Sequence, residues 1–123
     1  MANKKILLVD DSNTILMVEK MILASEPYHL VTAGNGAQAV ERAAAERPDL
    51  ILMDVVMPTM DGFAACRALR ARDETRAIPV IMVTTRGEAD KVELGFESGC
   101  SEYVTKPING PELLAKIRNL LGE

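Results

Sequence analysis

Two adjacent carboxylates close an apolar run near the N-terminus, where residues 7–12 read LLVDDS. Like charges about 4 Å apart repel by roughly 4 kcal/mol at an effective dielectric constant near 20, so folding alone gives no reason to place Asp10 beside Asp11. A hard divalent cation supplies a reason, because magnesium prefers oxygen ligands and often binds through one or two carboxylates together with phosphate. The pair therefore indicates a cation site whose other members must come from elsewhere in the chain.

Three further reactive side chains follow apolar segments in the same way. Asp54 follows LILM, Thr84 follows VIMV and Lys106 follows YVT. Each residue alone has an ordinary interpretation, as a helix cap, a strand-end hydroxyl or a surface lysine. If the segments are parallel strands, their carboxyl ends meet at one edge of a sheet, where open α/β sheets bind ligands. Carboxylates for a cation, with a lysine that offsets further negative charge, then describe a site for a phosphoryl group.

The elements that must position these residues alternate along the chain. Strand-sized segments rich in Val, Ile or Leu are separated by helical patterns, and this order predicts a parallel α/β sheet with helices on both faces. The nearly continuous apolar segments suit buried strands, and the more polar second and fifth suit the edges of the sheet. The predicted strands are 4–9, 29–33, 49–53, 79–83 and 102–106. The predicted helices are 13–25, 36–47, 62–72, 88–98 and 111–121.

Apolar spacing and a capping residue support the first predicted helix. Ile15, Val18 and Ile22 recur at helical spacing, and Ser12 or Asn13 is the candidate N-cap. This pattern predicts a helix over residues 13–25.

Length and composition indicate one globular domain over residues 1–123, with 48% apolar and 26% charged residues. The net charge of −4 argues against broad binding of nucleic acid. Since no apolar run approaches the length of a membrane span or a signal-peptide core, we expect a cytoplasmic protein without membrane insertion. Cys66 and Cys100 form no CxxC pair, and we expect both to be free, buried thiols.

Four stretches together resemble one known family, the CheY-like receiver domain of bacterial two-component response regulators. They are DD at 10–11, LMDVVMPTMDG at 52–62, VTT at 83–85 and YVTKP at 103–107. The resemblance covers essentially the whole chain. It implies a flavodoxin-like (βα)5 fold, with a five-stranded parallel sheet of order 2-1-3-4-5 and helices on both faces.

The resemblance implies a metal site and a phosphoacceptor. Asp54 would accept a phosphoryl group in a reaction that depends on Mg²⁺. Asp11 and Asp54 would ligate the ion directly, together with the backbone carbonyl of Val56, and Asp10 would act through water. The cation would reduce the repulsion between a carboxylate nucleophile and a phosphate.

Other residues take roles from the same resemblance. Thr84 would hydrogen-bond the phosphoryl oxygens, and Lys106 would pair with them. Thr84 would also turn toward the new charge and Tyr103 would rotate inward, which makes these two the switch residues. The peptide bond between Lys106 and Pro107 would be cis.

The implied partners are proteins. The donor would be a histidine kinase or a phosphotransfer protein, and an unidentified target protein would bind the face made by the fourth predicted helix, the fifth strand and the fifth predicted helix. We expect no direct contact with nucleic acid, and a monomer or a weak dimer. A start at Met1 and an end just after the last helix favour a complete, stand-alone regulator, in a chemotaxis-type or another phosphorelay pathway.

Two alternatives stay open. A phosphohydrolase with an aspartyl-phosphate intermediate usually carries a second acid two residues after its nucleophile, where this chain has Val56, and it needs a cap domain. A flavin- or nucleotide-binding module needs a phosphate-cradling loop after the first strand, where Asp10 and Asp11 would repel phosphate. We therefore favour a signalling module that is not an enzyme, with at most self-catalysed phosphotransfer and autodephosphorylation.

Overall fold

The structure is a computed structural model that describes residues 3–57, 60–85 and 96–123. Its sheet has five strands, namely β1 (Lys5–Val9), β2 (His29–Ala33), β3 (Leu50–Asp54), β4 (Val80–Thr84) and β5 (Glu102–Thr105). All neighbouring strands run parallel, in the order β2-β1-β3-β4-β5. The predicted flavodoxin-like sheet is confirmed, with the two more polar strands at its edges.

Helices connect the strands and begin where a polar side chain caps them. They are α1 (Asn13–Leu23), α2 (Gly36–Glu46), α3 (Gly62–Arg70) and a C-terminal helix (Gly110–Leu121). In each helix the side-chain oxygen of the capping residue accepts a hydrogen bond from a backbone N–H of the first turn. The capping residues are, in the same order, Ser12, Asn35, Asp61 and Asn109. Of the fourth predicted helix, 88–98, residues 88–95 and with them most of the helix lie outside the described residues, and Phe96 and Glu97 are helical. Within the described ranges, no helix has both the length and the apolar character needed to cross a membrane.

The sheet is covered on both faces, so β3 and β4 are buried throughout and β1 is buried except at Lys5. One apolar cluster lies between the sheet and helices α2 and α3, and it includes both free cysteines, Cys66 and Cys100. The second lies between the sheet and helix α1 with the C-terminal helix. Residues of β1 and β3 alternate between the two clusters, as period-two strands must. This packing fixes where each strand ends and therefore where the reactive residues meet.

The buried side of α1 is not the stripe of Ile15, Val18 and Ile22 that indicates the helix in the sequence. Leu16, Glu19 and Leu23 are buried, whereas Val18 is 38% exposed and Ile15 and Ile22 are half-buried. Two stripes with the same helical spacing lie side by side on this helix, and only the less buried one is fully apolar. Tertiary packing buries the stripe that contains Glu19 and leaves Val18 exposed.

Candidate functional site

Three carboxylates meet at the carboxyl edge of the sheet. Asp10 and Asp11 follow β1, and Asp54 is the last residue of β3, the strand that pairs with β1. One carboxylate oxygen from each lies within 4.8 Å of the other two. Asp10 is 1% exposed and Asp54 is 5% exposed, while Asp11 faces solvent. The cluster is therefore closed by protein on one side and open on the other.

Lys106 directly follows β5, which lies two strands from β3 in the sheet, and its side chain reaches this cluster. Its Nζ lies 3.2 Å from Oδ1 of Asp54 and 3.5 Å from Oδ2 of Asp10. Partial burial lowers the pKa of Lys106, but the negative charges of Asp54 and then Asp10 outweigh this effect, so its pKa is raised. The amine is therefore held in its charged form between two buried acids.

One lysine does not balance the acids. Burial raises the pKa of Asp54 to about 6, and the charge of Asp10 adds to this effect while Lys106 opposes it. Burial also raises the pKa of Asp10, although one of its oxygens accepts the Ser12 N–H at 2.9 Å. Oδ2 of Asp10 accepts no hydrogen bond from the residues that the structure describes. An oxygen-rich cluster with excess negative charge, in which one buried carboxylate oxygen has an ion pair but no hydrogen bond, has the donor set that Mg²⁺ prefers.

Thr84 ends β4, the strand between β3 and β5, and is 2% exposed. Its hydroxyl donates to the Val104 carbonyl across 3.5 Å, which is long for such a bond. The hydroxyl is therefore held only weakly at the same edge as the carboxylates.

The segment after Asp54 folds back onto the start of α3. The N–H of Gly62 donates to the carbonyl of Val55 at 2.8 Å. A Cβ atom at Gly62 would lie 2.4 Å from the Asp54 carbonyl oxygen, closer than real Cβ atoms come, so the fold requires glycine there. Val56 lies in this segment with 60% of its surface exposed. Val56 is two residues beyond Asp54 in the chain, and its side chain is largely in solvent.

Tyr103 lies on β5 and is half-buried, away from the carboxylates. Its ring meets the Phe96 ring edge to face, with centroids 5.9 Å apart, and Nζ of Lys116 lies 5.1 Å from the Tyr103 centroid. The peptide bond between Lys106 and Pro107 is cis, as the resemblance implies. The structure therefore brings together Asp10, Asp11, Asp54 and Lys106, with Thr84 at the adjacent strand end, and leaves Tyr103 outside this group.

Glu19 is a charged residue near the site that the sequence analysis did not single out. It is 1% exposed, and its Oε1 has no hydrogen-bond partner among the described residues. Burial, followed by the charge of Asp10, raises its pKa to about 8. The sequence did contain a signal for the burial of Glu19. This residue lies three residues after Leu16 and four before Leu23, and positions with this spacing share one side of a helix.

A comparison with known families decides the assignment. The family described as "Response regulator receiver domain" matches residues 6–118. This chain belongs to that family. As a receiver domain it has the phosphoacceptor role of two-component response regulators.

Individual relatives agree with this assignment. The receiver domain is 43% identical over 117 residues to the response regulator PleD of Caulobacter vibrioides, covering 94% of this chain but only 26% of PleD. It is 43% identical to the protein PilH of Pseudomonas aeruginosa, covering 95% of this chain and 97% of PilH. The chain therefore spans about a quarter of PleD and nearly all of PilH.

A solved structure shows the same fold with a metal. It is the receiver domain of the sensor histidine kinase PA1611 from Pseudomonas aeruginosa, with a magnesium ion coordinated in its active site cleft. It matches this receiver domain with a TM-score of 0.90 and 33% identity, covering 99% of this chain and 100% of the other.

Proposed function

We propose that this receiver domain, spanning residues 1–123, is a switch that accepts a phosphoryl group on Asp54 in a Mg²⁺-dependent reaction. The observation that carries the proposal is the cluster of Asp10, Asp11 and Asp54, with carboxylate oxygens within 4.8 Å of one another and Lys106 against two of them. Such a cluster is costly for folding and useful for handling a dianionic group.

The cation would be held by Asp11 and Asp54, with the Val56 carbonyl, and by Asp10 through water. When bound, Mg²⁺ supplies positive charge that lowers the repulsion between a carboxylate and a phosphoryl group. Oδ2 of Asp10 supports this assignment, because it is buried and accepts no hydrogen bond from the described residues, and its ion pair with Lys106 spans 3.5 Å. The receiver domain of PA1611, which coordinates magnesium in its active site cleft, supports the same choice of metal.

The protein groups act by position and charge. An oxygen of Asp54 attacks phosphorus, the bond between phosphorus and the donor nitrogen breaks, and the bonding electrons remain on the donor's imidazole. Lys106, already 3.2 Å from Asp54, pairs with the transferred group and keeps its charge because its pKa is raised. The Thr84 hydroxyl, weakly held by the Val104 carbonyl, is available as a donor to a phosphoryl oxygen.

The donor would be a histidine kinase or a phosphotransfer protein, and the output would be a contact with a target protein. Phosphorylation adds a charge of about −1.5 to −2 and so favours a state in which Thr84 turns toward Asp54. Tyr103, which now contacts Phe96 and Lys116, would then rotate inward. This movement would change the face made by the fourth predicted helix, β5 and the C-terminal helix.

The proposal is tested with acetyl phosphate, a small phosphodonor, in the presence of Mg²⁺. Intact-protein mass spectrometry should show one added phosphoryl group on the wild type and none on Asp54→Asn, since the amide is not a nucleophile of this kind. Asp61→Asn is the matched control, because Asp61 is exposed on the same loop and caps α3, which asparagine also does. Equal modification of Asp54→Asn and the wild type would show that another residue is the acceptor.

A further inference from the structure

A close backbone contact joins α2 to the segment that follows Asp54. Gly36 is the first residue of α2 and is buried. A Cβ atom at this position would lie 2.4 Å from the carbonyl oxygen of Met60, 3.1 Å from its carbonyl carbon and 3.0 Å from its Cγ. Side-chain atoms can turn away from such a contact, but the Met60 carbonyl cannot move without its loop. Any residue other than glycine at this position therefore displaces the loop.

That loop connects the acidic cluster to α3. Its far end is fixed by Gly62, which packs against the backbone of Asp54 and Val55. Two methionines among its described residues pack inward: Met57 is 8% exposed, and Met60 packs against the apolar cluster that contains residues of α2. The position of the segment that carries Val56 therefore depends on how closely α2 approaches it.

We infer that Gly36 is a positioning residue for phosphoryl acceptance, because its missing side chain lets the loop that follows Asp54 lie close against α2. The inference rests on the proposed function, since it concerns how the proposed acceptor and the proposed carbonyl ligand of Val56 are placed. Gly36 touches none of the reacting groups and acts through Met60.

Space, and not backbone conformation, is what requires glycine at position 36. Positive φ values in glycines of the described residues occur at Gly99 and Gly122, and Gly36 is not among them. Helix propensity alone would favour alanine over glycine at a helical position. Gly34, two residues earlier, is a matched control, because a Cβ atom there would meet only Oε1 of Gln38, at 3.4 Å.

The experiment compares Gly36→Ala with Gly34→Ala. The rate constant for phosphorylation by acetyl phosphate is measured at saturating Mg²⁺, with thermal unfolding of each variant as a check that it is folded. We expect Gly36→Ala to slow phosphorylation by about tenfold to a hundredfold, since displacements near 1 Å have effects of that size, and Gly34→Ala to match the wild type. A folded Gly36→Ala protein with the wild-type rate constant would overturn the inference.

The double variant Gly36→Ala/Met60→Ala separates the backbone contact from the side-chain contact. It removes Cγ of Met60 and leaves the carbonyl, so it should remain as slow as Gly36→Ala. Recovery of the wild-type rate would show that only the methionine side chain was obstructed, and would overturn the argument from the backbone.

A measurement without phosphate distinguishes failure of this inference from failure of the proposed function. With methionine labelled at its methyl carbon, the resonances of Met57 and Met60 should shift in Gly36→Ala and stay in place in Gly34→Ala, whether or not the wild type accepts phosphate. If Gly36→Ala does not fold, the wild type still decides, because nuclear Overhauser contacts between Gly36 Hα and Met60 Hγ must be present. Unshifted methyl resonances, or the absence of those contacts, would overturn the inference.

Discussion

In each of two regions of this receiver domain, one lysine lies among carboxylates, and the two regions differ mainly in how deeply those carboxylates are buried. In the acidic site, Lys106 lies 3.2 Å from Asp54 and 3.5 Å from Asp10, whose side chains are 7% and 1% exposed. In the second region, which we name the Lys116 cluster, Lys116 lies 3.5 Å from Glu102 and 3.6 Å from Glu112. These glutamates are 35% and 50% exposed.

The similar distances and different burial show what sets the cost of a charge in this protein. In the Lys116 cluster water solvates both acids, so the ion pairs add little to stability. In the acidic site the carboxylates have lost most of that solvation, and their raised pKa values record the cost. The acidic site is therefore held in place by the rest of the fold, and a counter-charge there has a large effect.

Lys106→Met gives the largest expected effect. At about pH 7 and without Mg²⁺, we expect a loss of about 3 kcal/mol in the free energy of unfolding, because two buried carboxylates lose their only cation among the described residues. Since the pKa of folded Asp54 is about 6, above its ordinary value, stability falls as pH rises from that ordinary value through about 6 and then levels off. The loss should therefore shrink at about pH 5, where Asp54 is protonated.

Urea denaturation at both pH values measures this effect. A loss below about 1 kcal/mol at the higher pH would mean that burial does not control the cost of these charges. A larger loss at the lower pH would contradict the sign worked out for Asp54.

Glu19→Leu gives the next largest effect, in the opposite direction. The pKa of folded Glu19 is about 8, above its ordinary value, so the folded state binds the extra proton and stability falls as pH rises through this range. Leucine extends the buried stripe of Leu16 and Leu23, and at about pH 7.5 it should stabilise the protein by about 1–3 kcal/mol.

The pH dependence is the specific part of this prediction. Denaturation at about pH 5.5 should show a smaller gain from Glu19→Leu, because this pH is closer to the ordinary pKa of a glutamate and the proton that Glu19 takes up on folding then costs less. Glu41→Leu, at an exposed position of α2, should change stability by less than about 0.5 kcal/mol at either pH. A Glu19→Leu protein that is less stable than the wild type at the higher pH would show that the buried carboxylate has a favourable partner.

Sequence patterns predicted the sheet and the edge where the reactive residues meet, because both follow from short-range alternation and from the parallel direction of the strands. The ends of β3 and β4 were predicted one residue early, since Asp54 and Thr84 belong to the strands and do not follow them. Those residues are polar, and a pattern based on apolar runs stops before them.

The features that were not predicted depend on contacts between distant parts of the chain. The burial of Glu19 depends on how α1 rotates against the sheet, which two neighbouring stripes with equal spacing left undecided. The need for glycine at position 36 comes from Met60, on another loop, and nothing in the local sequence of α2 indicates it. The family resemblance supplied the roles of the site residues, and neither composition nor periodicity contains them.

Lys116→Met gives the smallest expected effect and completes the comparison, because it makes the same substitution as Lys106→Met in the exposed cluster. It removes two ion pairs, the contact with the Tyr103 ring and a hydrogen bond of 2.6 Å from Nζ to the Tyr103 carbonyl. Water can replace these contacts at half-exposed groups, so we expect a loss of less than about 1 kcal/mol in the same urea titration. A loss comparable with that of Lys106→Met would mean that the number of partners, and not their burial, determines what a lysine contributes to this fold.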